Sequence, residues 1–122
     1  SVEAQYVPYI MPQEHGNLTE ISWLKISDGT KNVKFSVQSE IQASVSNYLD
    51  EDLTKALRVS ELSPTEYCWV YLDAMQRGLG GASCGPDTLD RYQVGPGTYK
   101  LEYQITSGDA CTQYGKVRKS KE

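Results

Sequence analysis

Apolar and polar residues alternate with a period of two along much of the chain, a pattern typical of half-buried β-strands. Segment 32–39 places Val33, Phe35 and Val37 on one face and polar residues on the other. A second segment of this kind, 20–27, precedes it, and Asp28-Gly29-Thr30 separates the two. Because Asp-Gly between two such segments is a strong turn signal, they are predicted to pair as an antiparallel hairpin.

Two more strands are predicted further along the chain. One runs over 67–75, with Tyr67, Trp69, Tyr71 and Asp73 on one face and Cys68, Val70, Leu72 and Ala74 on the other. The second set is the more apolar, so we expect it to face the core, with Cys68 as inert packing. The other strand covers 99–105 and follows the Gly95-Pro96-Gly97 turn, while 91–94 is also strand-like.

One helix is predicted between these strands, over 46–57. Its leucines, Leu49, Leu53 and Leu57, lie at i, i+4 and i+8, and three acids at 50–52 suit the positive end of the helix dipole. The predicted fold is therefore all-β, an antiparallel β-sandwich with one short helix. We expect a single domain over 1–122, with a weakly ordered tail at 107–122.

Composition and charge narrow the function classes. The net charge is -4 and the pI is near 5.0, whereas nucleic-acid-binding domains are usually basic. The sequence contains no apolar run of membrane-spanning length, so neither nucleic acid nor a membrane is an expected partner. Three cysteines without CxxC spacing indicate neither a disulfide framework nor a zinc site.

The glycine-rich segment 78–86 is the most unusual part of the chain. Gly80 and Gly81 allow positive φ angles or a close approach of the backbone to a ligand. A phosphate-binding loop would need a following helix and a Lys-Ser/Thr pair, which this segment lacks. A tight sheet connection is the plainer interpretation of the same residues.

Residues suited to catalysis are present but form no recognisable set. Glycosidases use a pair of carboxyl groups across the sugar, and no pair stands out in this sequence. Cys84 with His15 would need a third, orienting group. Asp73 lies on the aromatic face of its strand, where it is predicted to anchor the glycine-rich segment by accepting backbone N–H bonds.

Two motifs, in this order, carry a family resemblance. The first is Tyr-Ile-Met-Pro-Gln-Glu-His-Gly-Asn at 9–17, and the second is Leu-Asp-Ala-Met-Gln-Arg-Gly-Leu-Gly-Gly-Ala-Ser-Cys-Gly-Pro at 72–86. Together they resemble the C-terminal domain of the large bacterial β-galactosidases of glycoside hydrolase family 2. The helical segment 48–53 and the strand segments 92–94 and 99–103 are similar to that domain as well, so the resemblance covers about 6–105.

The resemblance implies the C-terminal portion of a β-supersandwich like that of galactose mutarotase. The family's catalytic glutamates lie on a separate barrel domain, so this chain is expected to be a non-catalytic accessory domain, inactive alone. Its expected partners are the barrel and preceding domains of a parent β-galactosidase, and the β-galactoside substrate through that parent. No cofactor is expected here, because ligands for the Mg and Na that the family often uses are not in this chain. A bacterial cytoplasm or periplasm would suit the parent.

The resemblance also assigns roles to individual residues. Gly80, Gly81, Ser83 and Cys84 would form a loop at the substrate cleft, and Gln13, Glu14 and Asp73 would support that loop. Cys84 stands where well-known members have a tryptophan, so sugar stacking by this loop is not expected. His15 replaces a common asparagine and is predicted to stabilise its turn.

Two alternative functions remain open, and an incomplete sandwich would have one physical consequence. The chain could instead be a free-standing carbohydrate-binding module that uses the aromatic strip Tyr67, Trp69 and Tyr71. It could also be a mutarotase-like enzyme with His15 as its acid or base, on fold analogy alone. If the chain is only part of a sandwich, an apolar sheet face or edge is left exposed, which predicts self-association of the isolated chain.

Overall fold

The computed structural model describes residues 1–78 and 84–109. Within them the chain forms four strands and one α-helix. In chain order these are β1 (Leu18–Ser27), β2 (Lys31–Ser46), α1 (Asp50–Lys55), β3 (Trp69–Asp73) and β4 (Tyr103–Asp109), with short 3₁₀ helices at Glu3–Gln5, Val59–Glu61 and Asp90–Tyr92. This confirms an all-β, antiparallel fold with one short helix. The second sheet that a sandwich requires remains a prediction.

The four strands form one sheet built on β2, which is 16 residues long. β1 pairs with β2, with two irregularities in register between Leu18 and Trp23. β4 pairs with the first half of β2, and β3 pairs with its last five residues. Val33 has partners in both β1 and β4, so those strands lie on opposite sides of β2. Ala43 likewise pairs with Leu18 of β1 and with Leu72 of β3, so β3 also lies on the side of β2 away from β1.

The predicted hairpin is confirmed. β1 and β2 pair antiparallel, with Ser27 opposite Asn32. The Asp28 carboxylate accepts hydrogen bonds from the backbone N–H groups of Thr30 and Lys31, both at 2.7 Å, and Gly29 takes φ = +93°. An aspartate that bonds two residues ahead and a glycine with positive φ are what this turn requires.

The apolar core is small and lies toward the end of β2 and in the helical region. It is formed by the buried residues Ile41, Ala43, Leu53 and Ala56. Helix α1 is shorter than predicted, because Ala56 already has an extended backbone. The cap is Leu49, whose side chain makes no capping bond, and Leu57 lies beyond the helix, 67% exposed.

Two strand boundaries differ from the prediction. Cys68 is exposed and is not a core residue, because pairing of β3 with β2 begins only at Trp69, opposite Ser46. β4 starts at Tyr103, where the ladder with Val37 begins, and it continues to Asp109. The predicted tail therefore begins with strand residues, and its remainder, 110–122, lies outside the described residues.

The strand-like segment 91–94 is not a strand. It lies largely within the 3₁₀ helix Asp90–Tyr92, which is followed by an extended residue, Gln93. No helix in the described ranges combines the length and apolarity needed to cross a membrane.

Candidate functional site

The two ends of the glycine-rich segment lie against each other. The Arg77 guanidinium forms an ion pair with the Asp87 carboxylate, and the Gly78 backbone N–H donates to the Tyr92 carbonyl at 2.7 Å. We call Arg77, Gly78, Asp87 and Tyr92 the loop root. Gly80, Gly81 and Ser83 lie outside the described residues, while Cys84 is described and exposed.

Asp87 is the most strongly engaged side chain of the loop root. Its Oδ1 accepts hydrogen bonds from Arg77 and, at 2.7 Å, from the Thr88 backbone N–H. The Arg77 guanidinium and this N–H hold the pKa of the Asp87 carboxyl below its ordinary value. Asp87 therefore stays ionised under ordinary conditions, and the ion pair with Arg77 persists.

Gly78 is a glycine because the loop root leaves no room for a side chain. A Cβ at this position would lie 2.9 Å from the Cβ of Tyr92 and 3.1 Å from Oγ1 of Thr88. Both distances are shorter than ordinary van der Waals contact. A larger residue would push the two ends of the segment apart.

Next to the loop root in sequence, Asp73 joins a cluster of acidic residues around a tyrosine. Partial burial raises the pKa of the Asp50 carboxyl, the hydrogen bond from the Tyr71 hydroxyl opposes this rise, and the charge of Asp73 adds to it. Burial likewise raises the pKa of Tyr71, and the charges of Asp50 and Glu14 add to the rise. The charges of two of the predicted support residues, Asp73 and Glu14, thus act on the pKa values of Asp50 and Tyr71 respectively.

The predicted bonding of Asp73 to the backbone of the glycine-rich segment stays untested, because that segment lies mostly outside the described residues. Asp73 itself is paired with Gln42 through the β2–β3 ladder. No group of three or more His, Cys, Asp or Glu residues in the described ranges is arranged to hold a metal ion.

A chain of amides that sequence reasoning missed lies at the same end of β3. Asn17 Nδ2 donates to Gln42 Oε1 at 2.5 Å, and Gln42 Nε2 donates to the Gln76 carbonyl at 3.5 Å. The Gln76 side-chain oxygen is buried without a partner among the described residues. These amides connect the first motif to the second, and the polar residue types gave no signal that they would meet.

His15 makes a contact within its own turn, and its stabilising role stays a prediction. Its Nδ1 lies 2.9 Å from the Gln13 carbonyl, and since a carbonyl only accepts, Nδ1 carries the proton. The ring also contacts Tyr6 edge-on, with 5.1 Å between centroids. The side chains of Gln13 and Glu14 are exposed.

The aromatic strip of β3 is only partly free. Tyr67 is 72% exposed, but the indole N–H of Trp69 donates to Thr65 Oγ1 at 3.0 Å, and partial burial raises the pKa of Tyr71. Trp69 and Tyr71 are half-buried. Tyr67 is therefore the one member of the strip that offers an open ring face.

The opposite end of the sheet carries an apolar face that is partly exposed in the described part of the chain. Ladder partners point to the same side of a sheet, so Leu24, Phe35 and Ile105 form one row. We define the apolar face by this row and its neighbours, namely Leu24, Ile26, Val33, Phe35, Val37, Tyr103 and Ile105. Tyr103 is 51% exposed and Ile105 is 55% exposed.

Comparison with known proteins decides the family. A family model described as beta galactosidase small chain matches residues 1–106. The chain belongs to the β-galactosidase small-chain family. Curated relatives named beta-galactosidase include those of Staphylococcus xylosus (31% identical, 70% of this chain, 9% of that protein), Actinobacillus pleuropneumoniae (26%, 86% and 10%) and Arthrobacter sp. strain B7 (28%, 86% and 11%). The chain thus spans about a tenth of the length of the curated relatives it matches, and the predicted family resemblance is confirmed.

Proposed function

We propose that this small-chain domain is the non-catalytic accessory domain of a β-galactosidase, here called the parent enzyme, which hydrolyses terminal β-D-galactosides. The name that its relatives share supports the activity, and the small share of their length that this chain covers, about a tenth, supports a parent with further domains. The observation that carries the accessory role is the apolar face.

Within the described residues, the apolar face is covered only in part: Leu24, Ile26, Phe35 and Val37 are half-buried, and the other three residues are exposed. Two sheets of a sandwich pack about 10 Å apart with their apolar faces together. Val33, Tyr103 and Ile105 are between 37% and 55% exposed in this chain. Burying a whole apolar side chain of this size contributes about 1.5–3 kcal/mol of free energy. Because these three side chains are about half exposed, completing their burial would contribute about 2–4 kcal/mol in total. We infer that the parent enzyme supplies an apolar partner surface and thereby completes a supersandwich.

The second part of the proposal concerns the glycine-rich segment. Gly80, Gly81, Ser83 and Cys84 would lie at the substrate cleft of the parent enzyme, with Gln13, Glu14 and Asp73 behind them. Support comes from the exposed position of Cys84 and from the contacts that hold the loop root together. The parent's barrel would provide the catalytic glutamates.

Complementation tests the accessory role. Hydrolysis of a nitrophenyl β-galactoside is measured with this chain alone, with a parent enzyme truncated before it, and with both mixed. The expected result is activity in the mixture only. Activity of the chain alone would overturn the proposal, as would a folded truncation that the chain fails to rescue.

A matched pair of variants in β4 tests the apolar face itself. Ile105→Lys places a charge on that face, whereas Thr106→Lys places the same charge on the opposite face of the same strand. The first should weaken complementation about tenfold or more, because the lysine must be desolvated on docking, and the second should have little effect. Equal effects would mean that this face does not dock.

The loop is tested separately by Gly81→Val in the parent enzyme, which should lower activity while leaving the barrel folded. Unchanged kinetics would remove the loop from the mechanism.

The same apolar face predicts that the isolated chain self-associates as its concentration rises, which sedimentation velocity measures. Ile105→Lys should reduce this association.

A further inference from the structure

The side of the sheet opposite the apolar face is polar and carries one large aromatic side chain. Ladder partners point to the same side of a sheet. Two neighbouring rows make up this side, namely Trp23, Ser36 and Gln104, and then Lys25, Lys34 and Thr106. We call these six residues the polar face. When the apolar face packs inside a sandwich, the polar face becomes its outer surface and is available for a different contact.

The two lysines of the polar face lie directly opposite each other. Lys25 of β1 and Lys34 of β2 are cross-strand partners. Like charges at such positions destabilise a sheet. Neither lysine forms an ion pair with a residue in the described part of the chain. Local conflicts of this kind are expected where a function requires the residues.

Trp23 gives the polar face an exposed aromatic ring. Its side chain is 52% exposed, and Nζ of Lys34 lies 5.6 Å from the centroid of the ring. This cation–π contact is attractive and keeps the Lys34 ammonium group beside the indole. Tryptophan is enriched among the residues that contribute most to protein–protein binding. A half-exposed tryptophan next to two lysines therefore indicates a docking surface.

The chemistry of the polar face indicates what docks there. Its six side chains include two ammonium groups and no carboxylate, in a chain whose net charge is -4. An ammonium group that loses water on docking needs an opposite charge, so carboxylates are the complementary groups. An acidic chain is a poor match for nucleic acid. Sites for small molecules are concave, whereas the polar face is one side of an open sheet, which suits a protein surface better.

We propose that the polar face docks onto a carboxylate-bearing surface of the parent enzyme's other domains, where Trp23 is buried and both lysines pair with carboxylates. This rests on the proposed function, in which the chain joins a parent enzyme. The contact is separate from that of the apolar face, because the two faces lie on opposite sides of the sheet. Docking relieves the repulsion between Lys25 and Lys34, since each ammonium group gains an opposite charge.

Salt dependence of complementation tests the charges. The chain is titrated into a parent enzyme truncated before it, and the concentration that gives half-maximal hydrolysis of a nitrophenyl β-galactoside is measured. Raising NaCl from about 0.05 M to about 0.5 M should increase this concentration about tenfold, because salt screens ion pairs and not apolar contacts. The intact parent enzyme, assayed at each salt concentration, corrects for effects on catalysis. A half-maximal concentration that does not change with salt would overturn the proposal.

Lys25→Glu separates a docking role from a structural one. In the isolated chain it converts the repulsive pair with Lys34 into an attractive one, so the urea midpoint of unfolding should rise by about 0.3 M. In complementation the same variant should raise the half-maximal concentration about tenfold or more, because like charges then face each other. A variant that docks as well as the wild type would contradict the inference.

Lys55→Glu is the matched control for charge. It makes the same change in net charge on helix α1, outside the polar face. It should leave the half-maximal concentration near that of the wild type. Equal losses for Lys25→Glu and Lys55→Glu would mean that only net charge matters, and the polar face would then have no special role.

Two further positions test the rest of the polar face. Trp23→Ala should raise the half-maximal concentration about tenfold or more, as expected of a buried aromatic anchor. Thr106→Glu should weaken docking, whereas Thr106→Lys, whose charge matches that of the face, should not. Should Trp23→Ala not fold, Lys25→Glu and the Thr106 pair decide the matter.

The outcomes separate this inference from the proposed function. A wild-type chain that fails to complement refutes the proposed function itself. Complementation that responds to neither salt nor Lys25→Glu refutes only the docking of the polar face. If Lys25→Glu alters self-association in sedimentation velocity but not complementation, the face contacts a second copy of the chain and the proposal is wrong. Tight binding of a labelled DNA oligonucleotide, lost in Lys25→Glu, would overturn it in favour of nucleic acid.

Discussion

Leu53 and Leu57 offer a direct test of where helix α1 ends. Both leucines fall on the same helical face by sequence spacing, yet Leu53 is 3% exposed and Leu57 is 67% exposed. The perturbation is the same in both cases, replacement by alanine. The replacement removes three side-chain carbon atoms at each position. Any difference between the two losses in the free energy of unfolding therefore reports the difference in burial.

The expected magnitudes follow from that burial. At about 0.8 kcal/mol for each buried carbon group, Leu53→Ala loses about 2 kcal/mol of transfer free energy. A cavity that closes incompletely raises the cost to about 2–4 kcal/mol. Leu57 is covered over only a third of its surface, so its replacement should cost less than about 1 kcal/mol.

Urea unfolding of the chain, followed by tryptophan fluorescence and circular dichroism, provides the assay. With a slope of about 1–2 kcal/mol per molar urea, Leu53→Ala should lower the midpoint by about 1 M or more. Leu57→Ala should lower the urea midpoint by only a few tenths of the shift that Leu53→Ala causes. Equal losses for the two variants would refute the reasoning, because they would place Leu57 in the core and extend the helix past Lys55.

Two further predictions concern the turn and the acidic cluster. Gly29→Ala should destabilise the hairpin by about 1–2 kcal/mol, because φ is +93°, whereas Gly95→Ala should be nearly neutral in the same unfolding assay. Asp50 has a raised pKa in the folded state, so its ionisation opposes folding. Its stabilising contribution grows as the pH falls through that raised pKa toward 3.8 and is lost as the pH rises. Asp50→Asn should therefore raise stability near neutral pH and flatten this part of the pH profile, and a profile identical to the wild type would contradict the assignment.

The local parts of the fold are predictable from the sequence alone. Alternation and the Asp28-Gly29 turn identified the β1–β2 hairpin, because side-chain period and turn chemistry act over a few residues. The acids at 50–52 likewise marked the first turn of α1, where the structure has them. The two motifs identified the family, since they are short, ordered and separated by matching elements.

Tertiary structure decided which residues become buried or enter a strand when the sequence pattern treats them alike. Spacing could not distinguish Leu53 from Leu57, because the helix ends where the chain turns extended. Nor could it show that pairing of β3 starts one residue after Cys68, which leaves that thiol exposed. The register of β2 with its neighbours determines both the exposed row at Ile105 and the start of β4.

The loop root shows most clearly the difference between what the sequence predicts and what only the tertiary structure determines. The glycines of segment 78–86 marked it as unusual, but their number does not reveal what holds its ends. The contacts of Arg77 with Asp87, of Gly78 with Tyr92, and of Gln42 with Gln76 join residues that are 10 to 34 positions apart. Such pairs depend on how distant segments meet in space, and a one-dimensional pattern carries little information about contacts of that range.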